Sequence, residues 1–181
     1  NLPGIANLLE ADRDLQQLLV AERSLVFANA NSDIFKNLIK DYEENLQQAA
    51  TRWEKYKSLA QTDSEKALFA KYEEARKEWS TLSSQVVEGR KADTREGRAI
   101  ALDLTLGKAK EKFEAMRDYI NQLTELNQKA AEDAQHQASQ VYSSMVGLLW
   151  LFTGIGILIG TALSWVLVRA IKKPIAKGLL F

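Results

Sequence analysis

The sequence predicts an all-α protein, an up-down-up-down four-helix bundle whose fourth helix continues into a transmembrane helix. Three observations carry this prediction. Neither Gly nor Pro occurs from Ile5 to Glu88, which argues against a fold rich in strands and turns. Apolar residues recur at alternating spacings of four and three, which is the stripe of a helix packed in coiled-coil fashion. The segment from Met145 to Val168 carries no charge, and as a helix of roughly 36 Å it can cross a hydrocarbon layer of about 30 Å.

Helix 1 is predicted over residues 3–28 and helix 2 over residues 33–60. The polar turn Asn29–Asn31 separates them, and Ser32 with Asp33 marks the start of helix 2. The core stripe of helix 1 comprises Leu8, Ala11, Leu15, Leu18, Glu22 and Leu25. The core stripe of helix 2 comprises Phe35, Ile39, Tyr42, Leu46, Ala49, Trp53, Tyr56 and Ala60.

Helix 3 is predicted over residues 63–91. It begins with the capping box formed by Thr62 and Glu65, and its apolar pattern ends at Gly89. Its core stripe comprises Leu68, Tyr72, Ala75, Trp79, Leu82 and Val86.

Helix 4 is predicted from residue 94 onward, after a second capping box of Asp93 with Glu96. Its core stripe comprises Ala99, Leu102, Leu106, Ala109, Phe113, Met116, Ile120 and Leu123. No stop signal precedes the uncharged segment, so we expect one continuous helix, with Gly97 and Gly107 as places where it can bend.

The connections between the helices are short, so neighbouring helices are expected to be antiparallel. Helix 4 runs toward the membrane, and helix 1 must therefore begin near it. We accordingly expect that the chain is truncated after a first membrane helix upstream of Asn1. The predicted organisation is a bundle domain over residues 1–142, a transmembrane helix over residues 145–168 and a membrane-exit segment over residues 169–181.

Charge and aromatic residues orient the transmembrane helix. Trp150 and Trp165 lie near its two ends, where indole rings favour the headgroup region. The cations that follow it are Arg169, Lys172, Lys173 and Lys177. By the positive-inside rule, residues 169–181 are predicted to be cytoplasmic and residues 1–144 to lie outside, which at a bacterial inner membrane is the periplasm.

The composition argues against an enzyme. The chain has no cysteine and a single histidine, His136, so it lacks the residues of a thiolate zinc site or a Ser-His-Asp triad. No Glu-x-x-His motif of a di-iron bundle occurs. Basic and acidic residues both number 24, which argues against a nucleic-acid partner. We predict no catalytic residue, no metal and no cofactor.

Helix 1 carries a second stripe with the same spacing on its other side, which we call the outer face. It comprises Leu2, Ala6, Leu9, Arg13, Gln16, Val20, Arg23 and Phe27. A monomeric bundle needs only one apolar face per helix, so the apolar members of this stripe predict packing against a second subunit. We therefore predict a homodimer through helix 1.

Polar residues interrupt the outer face where it is predicted to be buried. A guanidinium removed from water needs an acceptor, and its planar fork suits a carboxylate. Arg13, Gln16 and Arg23 thus predict a site for a small anion between two copies of helix 1. In the alternative interpretation this face is solvated and its arginines pair with nearby carboxylates, Arg13 with Glu10 or Asp14 and Arg23 with Glu22.

Helix 4 is expected to supply the opposite wall of this site. If the turns after helix 1 and before helix 4 are level, Arg13 lies level with Lys110. Thr105 and Lys108 then flank the core stripe near the height of the site, and we predict that both bind the ligand.

Two stretches resemble a known family. Ala11–Gln17 (ADRDLQQ), followed by Ala21–Arg23 (AER), resembles helix 1 of the four-helix-bundle ligand-binding domains of bacterial methyl-accepting chemotaxis proteins. Arg169–Ile175 (RAIKKPI) resembles the entry to a HAMP linker, where a basic segment precedes a proline.

The resemblance implies a transmembrane chemoreceptor. In the aspartate and serine receptors of this family, arginines of helix 1 from both subunits and polar residues of helix 4 hold the amino acid at the dimer interface. Binding would displace helix 4 and signal through a HAMP module to a cytoplasmic histidine kinase and adaptor. The predicted residues for an organic acid or amino acid ligand are Arg13, Gln16, Gln17, Val20, Arg23, Thr105 and Lys108.

Two other functions stay open at the level of sequence. A sensor histidine kinase can carry the same bundle, span and linker. A tail-anchored coiled-coil tethering protein is the second alternative, but it would show one uninterrupted heptad run. The predicted turns at Asn29–Ser32, Gln61–Asp63 and Lys91–Asp93 argue against it.

Overall fold

The computed structural model describes residues 2–60 and 62–178, with side chains through residue 170. In this part of the chain the helices are α1 (Leu2–Phe27), α2 (Asp33–Leu59), α3 (Asp63–Ala92), α4 (Arg95–Leu106) and α5 (Lys108–Gly178). The chain divides into two compact units, Asn1–Ala131 and Glu132–Phe181. The first unit is the predicted all-α four-helix bundle, in which α4 and the first part of α5 together form the fourth helix.

The core of the bundle is formed by the stripes that the spacing predicts for the first three helices. The buried apolar residues of α1 include Leu8, Ala11, Leu15, Leu18 and Leu25. Between α2 and α3 the core is aromatic: the rings of Trp53 and Tyr72 lie 4.1 Å apart, and Phe69 meets Trp53 edge to face at 5.3 Å. Burial of each such side chain contributes roughly 1.5–3 kcal/mol, so this layer ties α2 firmly to α3.

Side-chain caps fix where α2 and α3 begin. The Ser32 hydroxyl accepts a hydrogen bond from the backbone N–H of Phe35 at 3.1 Å. The predicted capping box of Thr62 and Glu65 is present with both reciprocal bonds. These caps satisfy donors that a helix start otherwise leaves unpaired, and they confirm the predicted starts of both helices.

The capping box predicted for helix 4 is wrong. Thr94 is the N-cap of α4, and its hydroxyl accepts from the backbone N–H of Gly97 at 3.0 Å. Asp93 instead ends α3 in the left-handed conformation, with φ of 49°. In that position its carboxylate accepts a hydrogen bond from the Arg98 side chain at 2.8 Å. Asp93 therefore stabilises the turn between α3 and α4 and does not cap the start of α4.

The fourth helix is interrupted at Gly107, one of the two glycines at which the sequence predicts that it can bend, and it resumes directly afterwards as α5. Gly107 has φ of −109° and ψ of −108°, outside the helical range, and its N–H donates to the Asp103 carbonyl at 3.0 Å. A β-carbon here would lie 2.8 Å from that same oxygen. Glycine avoids this clash, so helical geometry can break here and resume at Lys108.

The core stripe predicted for helix 4 is wrong before this interruption. The residues found exposed are Ala99, Leu102 and Leu106, the last of them by 61%. Ala101 and Thr105 are buried in their place. The cause is a close approach of α3 to α4, in which Gly89 and Gly97 meet backbone to backbone. Gly97, Ala101 and Thr105, spaced by four, fit against α3, and the leucines of α4 therefore face outward. From Ala109 onward the predicted stripe is buried.

The second unit contains the predicted transmembrane segment. Among the described residues, the fourth helix is the one long and apolar enough to cross a membrane, with a window of mean hydropathy 2.1 that is unburied. At its far end the guanidinium of Arg169 lies 4.4 Å from the ring centroid of Trp165, an arrangement suited to a membrane interface. The predicted linker start over residues 169–181 lies mostly beyond the residues whose side chains are described.

Candidate functional site

Four of the predicted ligand-binding residues line one groove between α1 and α2. From α1 they are Arg13, Gln16, Gln17 and Val20, and the α2 residues that face them include Leu38, Asp41 and Asn45. The groove has a volume of about 450 Å³, within the range of small-molecule sites. The amide oxygen of Asn45 is buried there without a hydrogen-bond partner in the described structure. The groove therefore offers an unused acceptor in its α2 wall.

Arg13 pairs with the residue that follows it. Its Nη2 lies 2.9 Å and its Nε 3.2 Å from Asp14 Oδ1. Asp14 is buried and also binds Arg52 of α2, which in turn binds Glu10. The carboxylate-pairing interpretation is thus confirmed for Arg13 with Asp14. The Arg13 side chain is still 54% exposed, so it stands at the edge of the groove.

Arg23 is different, because its Nε is buried without a hydrogen-bond partner. The predicted pairing with Glu22 is wrong: both Glu22 oxygens accept hydroxyls in the core instead. Among the described residues, Arg23 forms no ion pair. A buried N–H without an acceptor costs roughly 1–3 kcal/mol. Arg23 therefore has an unused donor on the outer face of α1.

Gln16 lies beside an ion pair that joins α1 to α5. Arg117 donates from Nε and Nη2 to the two carboxylate oxygens of Asp12, at 2.6 and 2.9 Å. With the Gln16 amide oxygen turned toward the same guanidinium, it accepts from Arg117 Nη1 at 2.9 Å. Sequence reasoning missed Arg117, because its role depends on how far the two helices are shifted along each other.

The same contact corrects the register, since Arg117 and not Lys110 lies level with this part of α1. The assumption of level turns fails because α1 ends at Phe27, about one turn beyond Glu22. By contrast, α3 continues about two and a half turns beyond Ser83, which contacts Glu22. The turn between α3 and α4 therefore extends farther than the end of α1.

The structure does not bring Thr105 or Lys108 into the groove beside α1. Thr105 is buried, and its Oγ1 donates to Glu22 Oε1 at 2.6 Å. Lys108 lies in a separate groove between α3 and α5, where Lys112 pairs with Glu78. A ligand-binding role of these two residues stays a prediction, and neither lines the groove that Arg13, Gln16, Gln17 and Val20 share.

A second polar site lies inside the bundle, and we call it the Glu22 cluster. Glu22 of α1 accepts from Ser83 of α3 and from Thr105 of α4, and Ser83 contacts the Tyr42 hydroxyl of α2 at 2.9 Å. Burial raises the pKa of Glu22, against the opposing effects of the two hydroxyls and of the Arg23 charge. In the sequence its one signal is a carboxylate within the apolar core stripe of helix 1.

The groups of the α1–α2 groove are suited to recognition. Guanidinium and amide donors stand beside the apolar side chains of Val20 and Leu38, a combination that orients and retains small polar molecules. Within residues 2–60 and 62–170, no group of three or more His, Asp or Glu side chains is placed to hold a metal ion.

Comparison with known proteins identifies the bundle. Residues 1–142 match the family described as a four helix bundle sensory module for signal transduction. The curated proteins and the solved structures contain no match. The family match covers the whole bundle and confirms the resemblance to the chemoreceptor domain. The chain therefore belongs to the family of four-helix-bundle sensory modules for signal transduction, and it is the sensor part of a receptor.

Proposed function

We propose that this module is the periplasmic sensor of a transmembrane chemoreceptor and that it binds a small anion of the carboxylate or amino-acid class on the outer face of α1. The observation that carries the proposal is Arg23, whose Nε is buried without an acceptor. A carboxylate would accept a charge-assisted hydrogen bond from it, and such bonds contribute about 1.5–3 kcal/mol. Gln16 and Val20 would supply further contacts from the same face, and Gln17 from the adjoining α1–α2 groove.

A second copy of the chain would cover this face. Leu9, Val20 and Phe27 are exposed by 55%, 64% and 84%, although they follow one stripe of the helix. Rows of this kind favour burial against another subunit, and a two-fold axis would bring the two α1 helices together. The ligand would then bind between protomers.

The signal would leave the bundle along the fourth helix. Ligand must bind one of two bundle packings more tightly than the other, or nothing is transmitted. Since α5 is one helical element over Lys108–Gly178, a shift or rotation of its first part would pass into the proposed transmembrane segment, residues 145–168. A HAMP module beginning near residue 169, then a cytoplasmic histidine kinase and adaptor, would receive it. No catalytic step is assigned to this chain.

The ligand site is tested with the whole chain in lipid nanodiscs. Organic acids and amino acids are screened by thermal shift, and calorimetry then compares wild type with Arg23→Ala, Arg13→Ala and Lys108→Ala. We expect about a tenfold or greater loss of affinity for Arg23→Ala. Arg13→Ala should lose less, because Asp14 already pairs with Arg13, and Lys108→Ala should bind normally. Full binding by both arginine variants would contradict the site.

The dimer is tested by light scattering over a range of protein concentrations, with and without ligand. Phe27→Glu and Val20→Glu place a charge on the outer face of α1 and should dissociate the dimer. The matched control is Ala70→Glu, at an exposed position of α3, which should leave it intact. A wild-type chain that stays monomeric at every concentration would contradict the proposed interface.

A further inference from the structure

The Glu22 cluster joins all four helices of the bundle, with α3 and α4 bound to the carboxyl group itself and α2 bound through Ser83. Glu22 and Ser83 are fully buried, and Thr105 and Tyr42 are nearly so. Thr105 donates to Glu22 Oε1 at 2.6 Å, and Ser83 donates to Oε2. Because the Ser83 hydrogen is used in this way, Tyr42 donates its own hydroxyl to Ser83. The Ser83 and Thr105 hydroxyls thus donate to Glu22, and the Tyr42 hydroxyl supports that of Ser83, an arrangement that suits an ionised carboxylate.

The surroundings give this charge little compensation. On α1 the positive Arg23 lowers the pKa of Glu22 without bonding to it. On α2 the facing group is Tyr42, whose own pKa is raised by burial, so it is neutral near pH 7. From α3 and α4 the facing groups are the Ser83 and Thr105 hydroxyls. Burial has the largest effect and keeps the pKa of Glu22 above its usual value of 4.5.

α4, which carries Thr105, buries few side chains, although its backbone packs on α3 where Gly97 meets Gly89. α4 lies between the turn at Thr94 and the interruption at Gly107. Its buried residues are Ala101 and Thr105. The hydrogen bond from Thr105 to Glu22 is therefore a substantial part of what holds α4 against α1.

We propose that Glu22 is a proton-binding site of this module and that its protonation state sets the position of α4 in the bundle. The module would in this way respond to acidification even without an anion bound on the outer face of α1.

The chemistry of the step involves one proton and no other reactant. A proton from solvent adds to a Glu22 oxygen, and the resulting acid has one O–H donor where the carboxylate had only acceptors. One of the two hydroxyls must then turn its hydrogen elsewhere. Thr105 can donate to the carbonyl of Ala101, one turn earlier in its own helix. The charge-assisted bond to α4 is replaced by a weaker neutral one, and Gly107 lets α4 move.

Protonation is measured by infrared difference spectroscopy of the whole chain in lipid nanodiscs during a pH titration. Wild type should show the carbonyl stretch of a buried carboxylic acid with a midpoint above pH 4.5. Glu22→Gln should lack the band, and Glu43→Gln, which removes an exposed carboxyl next to Tyr42, should keep it. Thr105→Val preserves shape but removes a donor to the ionised form, so the midpoint should rise.

A band that persists in Glu22→Gln, or a midpoint that does not rise in Thr105→Val, overturns the assignment. If Glu22→Gln fails to fold, the Thr105→Val midpoint decides alone.

Movement of α4 is measured with pairs of spin labels attached to introduced cysteines. The chain has no cysteine of its own, so only the introduced positions are labelled. Lys40→Cys with Asp103→Cys reports the distance from α2 to α4, and Lys40→Cys with Thr81→Cys is the control pair between α2 and α3. The first distance should change with the infrared midpoint and become pH-independent when Glu22→Gln is added. A first distance that stays constant through the protonation overturns the coupling to α4. No ligand is used, so these results do not depend on the proposed anion site.

Discussion

A β-carbon built on Gly97 of α4 would lie 2.5 Å from the carbonyl oxygen of Gly89 in α3, and one built on Gly89 would lie 2.7 Å from the oxygen of Gly97. The two helices thus touch backbone to backbone, with no room for a side chain between them. This contact determines which face of α4 is buried.

Enlarging either glycine should therefore destabilise the bundle. Gly97→Ala forces the two backbones apart, and overpacking of this kind costs about 1–3 kcal/mol of unfolding free energy. The measurement is urea unfolding of the whole chain, followed by circular dichroism. Gly147→Ala is the control, because a β-carbon there meets nothing within 4 Å. Equal stability of the two variants would refute the close contact.

Arg90 is expected to be the most costly arginine to remove. It is buried, and it donates to the carbonyls of Leu25 at 2.8 Å and Ala28 at 2.7 Å, which are acceptors that the end of α1 leaves unpaired. Arg90→Met should lower the unfolding free energy by about 2–4 kcal/mol. Arg98→Met removes an exposed arginine of the same turn and should cost less than about 1 kcal/mol. The two variants are compared by urea unfolding, and similar losses would count against this role of Arg90.

The ion pair of Asp12 with Arg117 should show measurable coupling. Both side chains are more than two-thirds buried and the geometry is bidentate, so a double-mutant cycle with Asp12→Asn and Arg117→Met should give about 1 kcal/mol. The exposed pair of Lys110 with Glu114, 3.8 Å apart, should give about 0.3–0.5 kcal/mol. Coupling no larger than this control would argue against the register of the fourth helix.

Acid should weaken the bundle through Glu65. Burial alone would raise the pKa of Glu65, but hydrogen bonds from the Thr62 backbone, Tyr56, the Thr62 hydroxyl and Asn127 outweigh it and lower the pKa to about 2. Because the folded-state pKa is below the usual 4.5, this stabilisation is complete above pH 4.5 and is lost as the pH falls toward 2. The loss amounts to at most about 3 kcal/mol.

The experiment is urea unfolding between about pH 2 and pH 7. Glu65→Gln should flatten the acid part of the profile, whereas Glu44→Gln, at an exposed position, should not. An acid loss as steep in Glu65→Gln as in wild type would contradict the prediction. The pKa of Glu22 is raised and not lowered, so its contribution to the unfolding free energy decreases as the pH rises above 4.5. The effects of Glu22 and Glu65 are therefore opposite in sign and can be told apart.

The predicted helix limits agree closely with the structure for α1 to α3, because their signals are local. A cap such as Ser32 or Thr62 acts within one turn, and spacing of four and three defines one face of a single helix. The same locality explains the failure at α4. Leu102 and Leu106 fit an apolar stripe as well as Ala101 and Thr105 do, and the choice is made by Gly89 on another helix.

The candidate site shows the same division. The outer face of α1 and its exposure follow from sequence alone, since the second stripe is a property of one helix. The partners of its polar residues do not: Arg13 binds Asp14 while Arg23 is left with an unpaired Nε. Such differences depend on where neighbouring helices place their side chains.

By itself, the sequence determined that this protein is a helical bundle with an apolar segment able to span a membrane. Helix periodicity, caps and hydropathy each depend on the residues of a single segment, so they can be read without knowing how the helices pack. Only the tertiary structure decided that Glu22 is held by Ser83 and Thr105, and that α4 buries Ala101 and Thr105 rather than Leu102 and Leu106. Both depend on the register between helices distant in sequence. That register is fixed by packing, as where Gly89 meets Gly97, and not by the pattern of any one helix.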